Sequence, residues 1–86
     1  MKHLASPEFW AAFDKLPLQA RELAKKNFEL LKSDLQHPSL HYKKTGRFRS
    51  VRVGLKYRAL AVEIEAGILW FWIGTHADYD ALLKRA

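Results

Sequence analysis

The sequence predicts an α+β fold in which an N-terminal helical hairpin packs on a small antiparallel sheet of three to four strands, followed by a short C-terminal helix. Three stretches lead to this prediction. Residues 9–31 carry apolar side chains at helical spacing, residues 48–73 are rich in β-branched and aromatic side chains interrupted by glycine, and residues 76–85 return to helical spacing. A chain of 86 residues is predicted to form a single domain, residues 1–86, with a modest core.

The predicted hairpin consists of two helices that meet at Pro17. Ser6-Pro7-Glu8 begins the first helix, because serine is a good N-cap, proline fits the first helical position and an acid suits the first turn. Pro17 ends that helix and starts a second one over residues 18–32. The inner side of the second helix is predicted to consist of Ala20, Leu23, Ala24, Asn27, Phe28 and Leu31. Ahead of the hairpin, residues 1–5 fit a short edge strand.

The sheet is predicted to begin with a strand over residues 40–44, which turns at Thr45-Gly46 into a strand that starts near residue 48. Side chains then alternate between two faces, with Val51 and Val53 on one face and Ser50 and Arg52 on the other. The face that carries the valines is predicted to be the core.

The last strand, residues 68–73, is apolar on both faces, so the sheet needs a cover on each side. Alternation predicts that Trp70 and Trp72 lie together, opposite Leu69, Phe71 and Ile73. Two interpretations of the tryptophans are open. Either they pack in the core, or they form an apolar patch that a partner segment covers.

The net charge of +6 is concentrated in one part of the sequence. No acidic residue occurs between Asp34 and Glu63. The same interval contains the basic residues Lys43, Lys44, Arg47, Arg49, Arg52, Lys56 and Arg58. Such a cluster favours a polyanion, because each phosphate that it neutralises releases condensed counterions. The alternatives are a solvated basic surface or a docking surface for an acidic protein.

Several classes of protein do not fit the composition. No apolar run approaches the ~20 residues of a membrane span, and the N-terminus lacks the apolar segment of a signal peptide. The chain has no cysteine, and its four histidines are not spaced as metal ligands. His37 and His41 lie near the basic interval, where contact with a phosphate is one interpretation, but the favoured one is that both are ordinary surface residues of an exposed loop. A cytoplasmic protein without a metal or cofactor is therefore expected.

The corner between the last strand and the last helix carries candidate chemistry. Thr75 and Asp78 resemble a capping box for a helix over residues 76–85, which turns Tyr79 toward the sheet. His76 stands at the same corner, where free helix N–H groups also attract anions. The alternative is structural: His76 caps the helix and Tyr79 packs in the core.

Arg52 and Arg58, from neighbouring strands, complete a candidate site with His76 and Tyr79. Cleavage of RNA by its own 2′-hydroxyl requires a base for that hydroxyl, an acid for the departing 5′-oxygen and positive charge near the phosphorane. Histidine, tyrosine and arginine can fill these roles without a metal. Arg58 can alternatively pair with a nearby glutamate in a surface ion pair of small energy.

The segments LHYKK, SVRVGLKYRAL, WFWIG and THADYDALLKR, preceded by two helices, resemble the RelE/ParE superfamily of toxins from type II toxin–antitoxin modules. The resemblance covers nearly the whole chain and implies an antiparallel sheet flanked by helices, with a cognate antitoxin that blocks a basic cleft. In the RelE branch it implies a metal-independent endoribonuclease, or mRNA interferase, that cleaves message on the ribosome and inhibits translation. In the ParE branch it implies a DNA gyrase poison. A third alternative is an inactive domain that binds RNA or an antitoxin.

The resemblance assigns roles to residues by position. Arg52 and Arg58 match the arginines of the central strands, and His76 and Tyr79 match C-terminal residues near the scissile phosphate. The resemblance also matches Lys43 and Lys44 to basic residues before the turn. The basic interval itself assigns RNA binding to Lys43, Lys44, Arg47, Arg49 and Lys56, and the apolar patch assigns partner binding to Trp70 and Trp72. The central strands lack the carboxylate that serves some members as general base, so His76 is assigned as the base, with Lys44 as the alternative. Residues 1–5 are short for the leading strand of the family.

Overall fold

A mixed five-stranded sheet forms the centre of the computed structural model, which describes residues 2–85. The strands are β1 (Lys2–Ala5), β2 (Lys43–Thr45), β3 (Phe48–Val53), β4 (Tyr57–Ile64) and β5 (Gly67–Thr75), and the helices are α1 (Pro7–Asp14), α2 (Leu18–Ser33) and α3 (His76–Arg85). A short 3₁₀ turn, Pro38–Leu40, precedes β2. The strand order is β1-β5-β4-β3-β2, which confirms the predicted α+β architecture.

The sheet is larger than predicted because residues 2–5 pair with β5 in parallel. The chain leaves β1, forms the α1–α2 hairpin and returns through an antiparallel meander, so the edge strand requires a crossover. Gly67 allows the close approach of the two strands. Its φ is +149°, and a Cβ at this position would collide with the carbonyl oxygen of Lys2. The predicted edge strand is therefore confirmed for residues 2–5, whereas residue 1 lies outside the described residues.

The helical hairpin begins and breaks where the sequence predicts. The Ser6 side chain accepts a hydrogen bond from the backbone N–H of Phe9 at 3.2 Å, which satisfies one free donor of α1. Pro17 stands just before α2. The buried residues of α2 are Ala20, Ala24 and Leu31. Leu23 is instead 36% exposed, so its assignment to the inner side is wrong.

The main core lies between the hairpin and one face of the sheet. It includes Phe13 and Leu16 from the hairpin segment, Val51 and Val53 from β3, and Trp70 from β5. Burial of these side chains is the main stabilising term, at roughly 25 cal/mol per Å² of apolar surface removed from water. The predicted alternation of β3 is confirmed, since both valines lie in this core.

A β-bulge interrupts the ladder between β4 and β5. Leu60 pairs with Trp72, and the next residue, Ala61, pairs with Trp70. Phe71 is therefore an extra residue without a partner in the ladder. The insertion shifts the alternation, so that Trp70 joins Ile73 in the core under the hairpin. Trp72 lies beside α3 instead. The prediction that both tryptophans share the side opposite Ile73 is wrong, because strict alternation does not survive an inserted residue.

The first sheet strand is shorter than predicted. Leu40 belongs to the 3₁₀ turn and is fully buried, and β2 begins only at Lys43. Between them, His41 adopts a left-handed backbone conformation with φ 46° and ψ 44°. An extended strand over residues 40–44 is therefore wrong, because burial of Leu40 requires the chain to turn before it enters the sheet.

Candidate functional site

A basic cleft lies on the face of the sheet opposite the helical hairpin. It encloses about 290 Å³ and is lined by His41, Tyr42, Lys43, Ser50, Val51, Arg52 and Arg58. The lining contains no carboxylate, so every group in it that is charged at neutral pH is a cation. A concave surface of this kind attracts anions, since low-dielectric walls focus the field of the cations.

The centre of the cleft is a pair of arginines. Arg52 and Arg58 are direct cross-strand partners of β3 and β4, so their side chains leave the same face of the sheet. Partial burial, and next the neighbouring positive charge of Arg52, lower the pKa of Arg58, while Tyr79 and Asp80 act in the opposite direction. The guanidinium nevertheless stays charged, because its ordinary pKa lies far above neutrality.

The arginine pair has unused hydrogen-bonding capacity. Arg58 donates from Nη1 to the carbonyl oxygen of Tyr57 at 2.9 Å. Arg52 Nε is buried and finds no hydrogen-bond partner among residues 2–85. A buried donor without a partner costs free energy, and two like charges side by side repel. An anion bound between the arginines would relieve both costs.

Tyr79 anchors α3 to the sheet. Its side chain is only 4% exposed, and its hydroxyl donates a hydrogen bond to Ser50 Oγ at 3.2 Å. The structural alternative from the sequence, that Tyr79 packs in the core, therefore describes its location. Because Ser50 also lines the cleft, this bond fixes the floor of the site to the helix.

His76 is at the edge of the site rather than in the cleft. Its backbone N–H donates to the carbonyl oxygen of Lys56 at 2.9 Å, and its ring Nδ1 lies 3.2 Å from a carboxylate oxygen of Asp80. The side chain is about half exposed. The helix cap is Thr75, whose hydroxyl oxygen accepts from the backbone N–H of Asp78 at 3.2 Å, as predicted. The ring of His76 is therefore oriented by Asp80 and remains accessible.

The predicted RNA-binding residues do not all meet in the cleft. Lys43 lines it, whereas Lys44, the next residue of β2, points to the other face by strand alternation. Arg49 forms an ion pair with Glu63, so its charge is neutralised within the chain. The pattern reflects the sheet: basic residues that are close in sequence are distributed between two faces.

Two more of the predicted RNA-binding residues lie in turns. Arg47 is in the β2–β3 turn, with its guanidinium 5.2 Å from the centre of the Phe48 ring. Lys56 is exposed in the turn between β3 and β4. Neither residue lines the cleft, so each is available to a longer ligand rather than to a single bound anion.

The sequence analysis favoured an ordinary surface role for His41 over contact with a phosphate and did not include it among the site residues. The structure places it in the wall of the cleft, with Lys43 and the two arginines. The available signal was its position, because His41 stands two residues before Lys43, at the start of the basic interval. The loop composition around it favoured a surface assignment instead.

The two tryptophans have different exposures. Trp70 is 2% exposed and donates its indole N–H to His3 Nδ1 at 3.0 Å, so it is not accessible to a partner. Its assignment as a partner-binding residue is therefore corrected to a core residue. Trp72 is half-buried against α3 and retains accessible surface.

Residues 2–85 show neither a metal site nor a membrane-spanning helix. This part of the chain contains no group of three or more histidine, cysteine, aspartate or glutamate residues arranged to hold a metal ion. No helix in it is long and apolar enough to cross a membrane. The cleft with its arginine pair is thus the polar site on which a functional proposal can be built.

A helical hairpin on one face of a mixed sheet, with a basic cleft on the other face, defines an α+β domain. No protein-family model matches the chain, and neither does any curated protein. Solved structures do match it in fold. A chain of the RelB–RelE antitoxin–toxin complex from Methanococcus jannaschii is similar with a TM-score of 0.71 and 19% identity, over 91% of this chain and 96% of that one.

Two further toxins share the fold. A copper-bound mutant toxin from Helicobacter pylori matches with a TM-score of 0.71 and 16% identity, over 91% of this chain and 97% of that one. The isolated RelE toxin of Escherichia coli matches with a TM-score of 0.62 and 15% identity, over 96% of this chain and 95% of that one. The chain therefore has the RelE toxin fold, which confirms at the level of fold the resemblance seen in the sequence.

Proposed function

We propose that the chain is the toxin of a type II toxin–antitoxin system and that it cleaves messenger RNA on the ribosome, without a metal, in the cytoplasm. The observation that carries the proposal is the arginine pair of Arg52 and Arg58 in a cleft that has no carboxylate. RNA is a polyanion whose cleavage passes through a more highly charged phosphorane, so such a site can stabilise both the bound substrate and its transition state.

In the proposed mechanism the scissile phosphate lies over the arginine pair. Arg52 offers its unpartnered Nε, and Lys43 adds a point charge at the side of β2. His76 stands where β5 ends and α3 begins, and its ring is oriented by Asp80. From this position it exchanges a proton with the RNA. Tyr79 has a positioning role, because its hydroxyl is engaged with Ser50.

The test is induced expression with growth and message integrity followed in parallel. Wild type is expected to arrest growth and to produce new cleavage sites in translated message, detected by primer extension. Arg52→Ala combined with Arg58→Ala is expected to lose both effects. Lys15→Ala combined with Lys26→Ala is the matched control, since it removes two exposed charges outside the cleft. Arrest with intact message and accumulating gyrase–DNA breaks would instead identify a gyrase poison.

A cognate antitoxin is proposed as the protein partner. The RelB–RelE complex from M. jannaschii supports this, because there a protein of the same fold is bound by an antitoxin. A net charge of +6 favours an acidic partner segment, laid over the arginine cleft or the exposed part of Trp72. The product of an adjacent gene should co-purify with the chain and abolish cleavage. A chain that folds, cleaves message and forms no such complex would contradict the antitoxin proposal alone.

A chain that binds to ribosomes without cleaving message would instead be identified as an inactive domain.

A further inference from the structure

His41 has an unusual backbone conformation. Among residues 2–85, His41 is the only residue other than glycine that has a positive φ, at 46°. This region is uncommon for residues that carry a Cβ, and it persists where the surrounding structure imposes it. Here Leu40 is anchored in the core immediately before, the His41 N–H donates to the carbonyl oxygen of Pro38 at 3.2 Å, and β2 begins two residues later.

The strained turn places His41 in the wall of the cleft. The other titratable or charged groups that line it are Tyr42 in the same loop, Lys43 on β2, Arg52 on β3 and Arg58 on β4. No hydrogen bond to the His41 ring is found within the described part of the chain. His37 differs, because its ring Nδ1 accepts the backbone N–H of Ser39 at 3.2 Å and so has a structural use.

The strand order places His41 and His76 on opposite sides of the arginine pair. Across the sheet the order runs β5, β4, β3, β2, with His76 directly after β5 and His41 just before β2. Arg58 and Arg52 occupy the two strands between them. Lys43 pairs with Ser50, and His41, two residues before Lys43, lines the same cleft as Arg52.

Cleavage of RNA by its 2′-hydroxyl is an in-line displacement. The 2′-oxygen forms a bond to phosphorus and loses its proton to a base, while the bond from phosphorus to the 5′-oxygen breaks and that oxygen takes a proton from an acid. The products are a 2′,3′-cyclic phosphate and a 5′-hydroxyl. Because the entering and leaving oxygens are on opposite sides of the phosphorus, base and acid must approach from opposite sides.

We propose that His41 is a catalytic residue, the general base for the 2′-hydroxyl, and that His76 is the general acid for the 5′-oxygen. This inference rests on the proposed ribonuclease function and replaces the assignment of His76 as the base. Asp80 lies 3.2 Å from His76 Nδ1 and can accept a hydrogen bond from the ring when His76 acts as the proton donor. The lining of the cleft around His41 contains no carboxylate that would hold its ring nitrogens in the same way. The phosphate lies between them on the arginine pair.

His41→Asn is the principal test, because asparagine tolerates the left-handed conformation but does not titrate near neutrality. Single-turnover cleavage of ribosome-bound message is measured across pH. Wild type is expected to give a bell-shaped profile. His41→Asn is expected to be at least about 100-fold slower and to lose the limb in which activity falls at low pH. His76→Asn is expected to lose the opposite limb. His37→Asn, in the same loop but outside the cleft, is expected to behave as wild type.

His41→Gly separates chemistry from backbone strain. Glycine adopts a positive φ freely, so this variant should be folded and at least as heat-stable as wild type, yet inactive. Added imidazole should restore part of its cleavage, which a purely structural role would not produce. Full cleavage by either variant, or an unchanged pH profile, would overturn the assignment of His41 and leave the ribonuclease intact. A wild-type chain that cleaves no message would overturn the proposed function, and this assignment with it.

Discussion

Arg52 and Arg58 face each other across adjacent strands, and the cleft that they share has no carboxylate to separate their charges. Arg49, by contrast, has an acidic neighbour in Glu63. Here the fold keeps two cations together, which carries an electrostatic cost. Such an arrangement is useful only when an anion completes it, so affinity for phosphate and stability of the free chain should oppose each other at these positions.

Replacing Arg58 by glutamine should weaken RNA binding and leave the free protein as stable as wild type or more stable. The free protein should not lose stability, because the change removes the charge repulsion between Arg58 and Arg52. The slope of log affinity against log salt concentration should become less steep by about 0.7 for each phosphate of single-stranded RNA that is no longer neutralised. Fluorescence anisotropy across salt concentrations and a urea melt measure the two effects. Lys26→Gln, on the exposed side of α2, is the control. An unchanged slope would remove Arg58 from the interface.

The buried hydrogen bond between Tyr79 and Ser50 should contribute to stability as a coupled pair. Tyr79→Phe leaves the Ser50 hydroxyl buried without its partner, so we expect a loss of about 1–3 kcal/mol in the free energy of unfolding. Ser50→Ala leaves the buried Tyr79 hydroxyl without its acceptor in the same way, so it should also cost about 1–3 kcal/mol. The double variant should cost less than the sum of the two, as a double-mutant cycle by denaturant melts can establish. Strict additivity would show that the two hydroxyls do not interact.

The local patterns of the sequence were sufficient for most of the elements. Ser6-Pro7-Glu8 and Pro17 predicted the starts of the two N-terminal helices, and alternation placed Val51 and Val53 in the core. These features depend on caps, prolines and burial, which act within a few residues. The same locality explains why the arginine pair was predictable: each arginine stands in a short strand whose neighbour follows after a tight turn.

The features that failed depend on contacts between distant parts of the chain. The bulge at Phe71 has no signal in an apolar run, so the side of Trp70 could not be predicted. The left-handed turn at His41 follows from the burial of Leu40, which only the assembled core imposes. The parallel pairing of β1 requires a crossover that periodicity does not encode. Two of these features lie at the edges of the sheet, in β1 and at the entry to β2, whereas the bulge lies in β5, an interior strand.

Gly67→Ala should destabilise the fold more than Gly46→Ala does. Both glycines have positive φ, at +149° and +61°, but a Cβ at Gly46 meets open space whereas one at Gly67 collides with the backbone of Lys2. We expect about 1–2 kcal/mol of strain at Gly46 and a larger loss at Gly67, together with release of β1 from the sheet. Thermal melts and hydrogen exchange of residues 2–5 measure this. Equal losses for the two variants would show that β1 adapts to the added carbon.

The contact between His3 and Trp70 should make stability depend on pH. His3 Nδ1 accepts the indole N–H, and burial, followed by the charge of the N-terminus, lowers the pKa of His3. A histidine with a lower pKa in the folded than in the unfolded state binds more protons when unfolded. Stability is therefore expected to fall as the pH drops through the ordinary histidine value of about 6.5, and to stop falling below the folded pKa.

The pH effect can be isolated with His3→Gln, whose amide oxygen can still accept the indole N–H but does not titrate. Melts between about pH 7.5 and about pH 5 should show a larger decline for wild type than for the variant, because His3 is the one titratable group that the substitution removes. Tryptophan fluorescence should change over the same range in wild type, since protonation of Nδ1 removes the acceptor of Trp70. Parallel declines for the two proteins would mean that His3 titrates alike in the folded and unfolded chains, and that its hydrogen bond to Trp70 does not govern the acid stability of the fold.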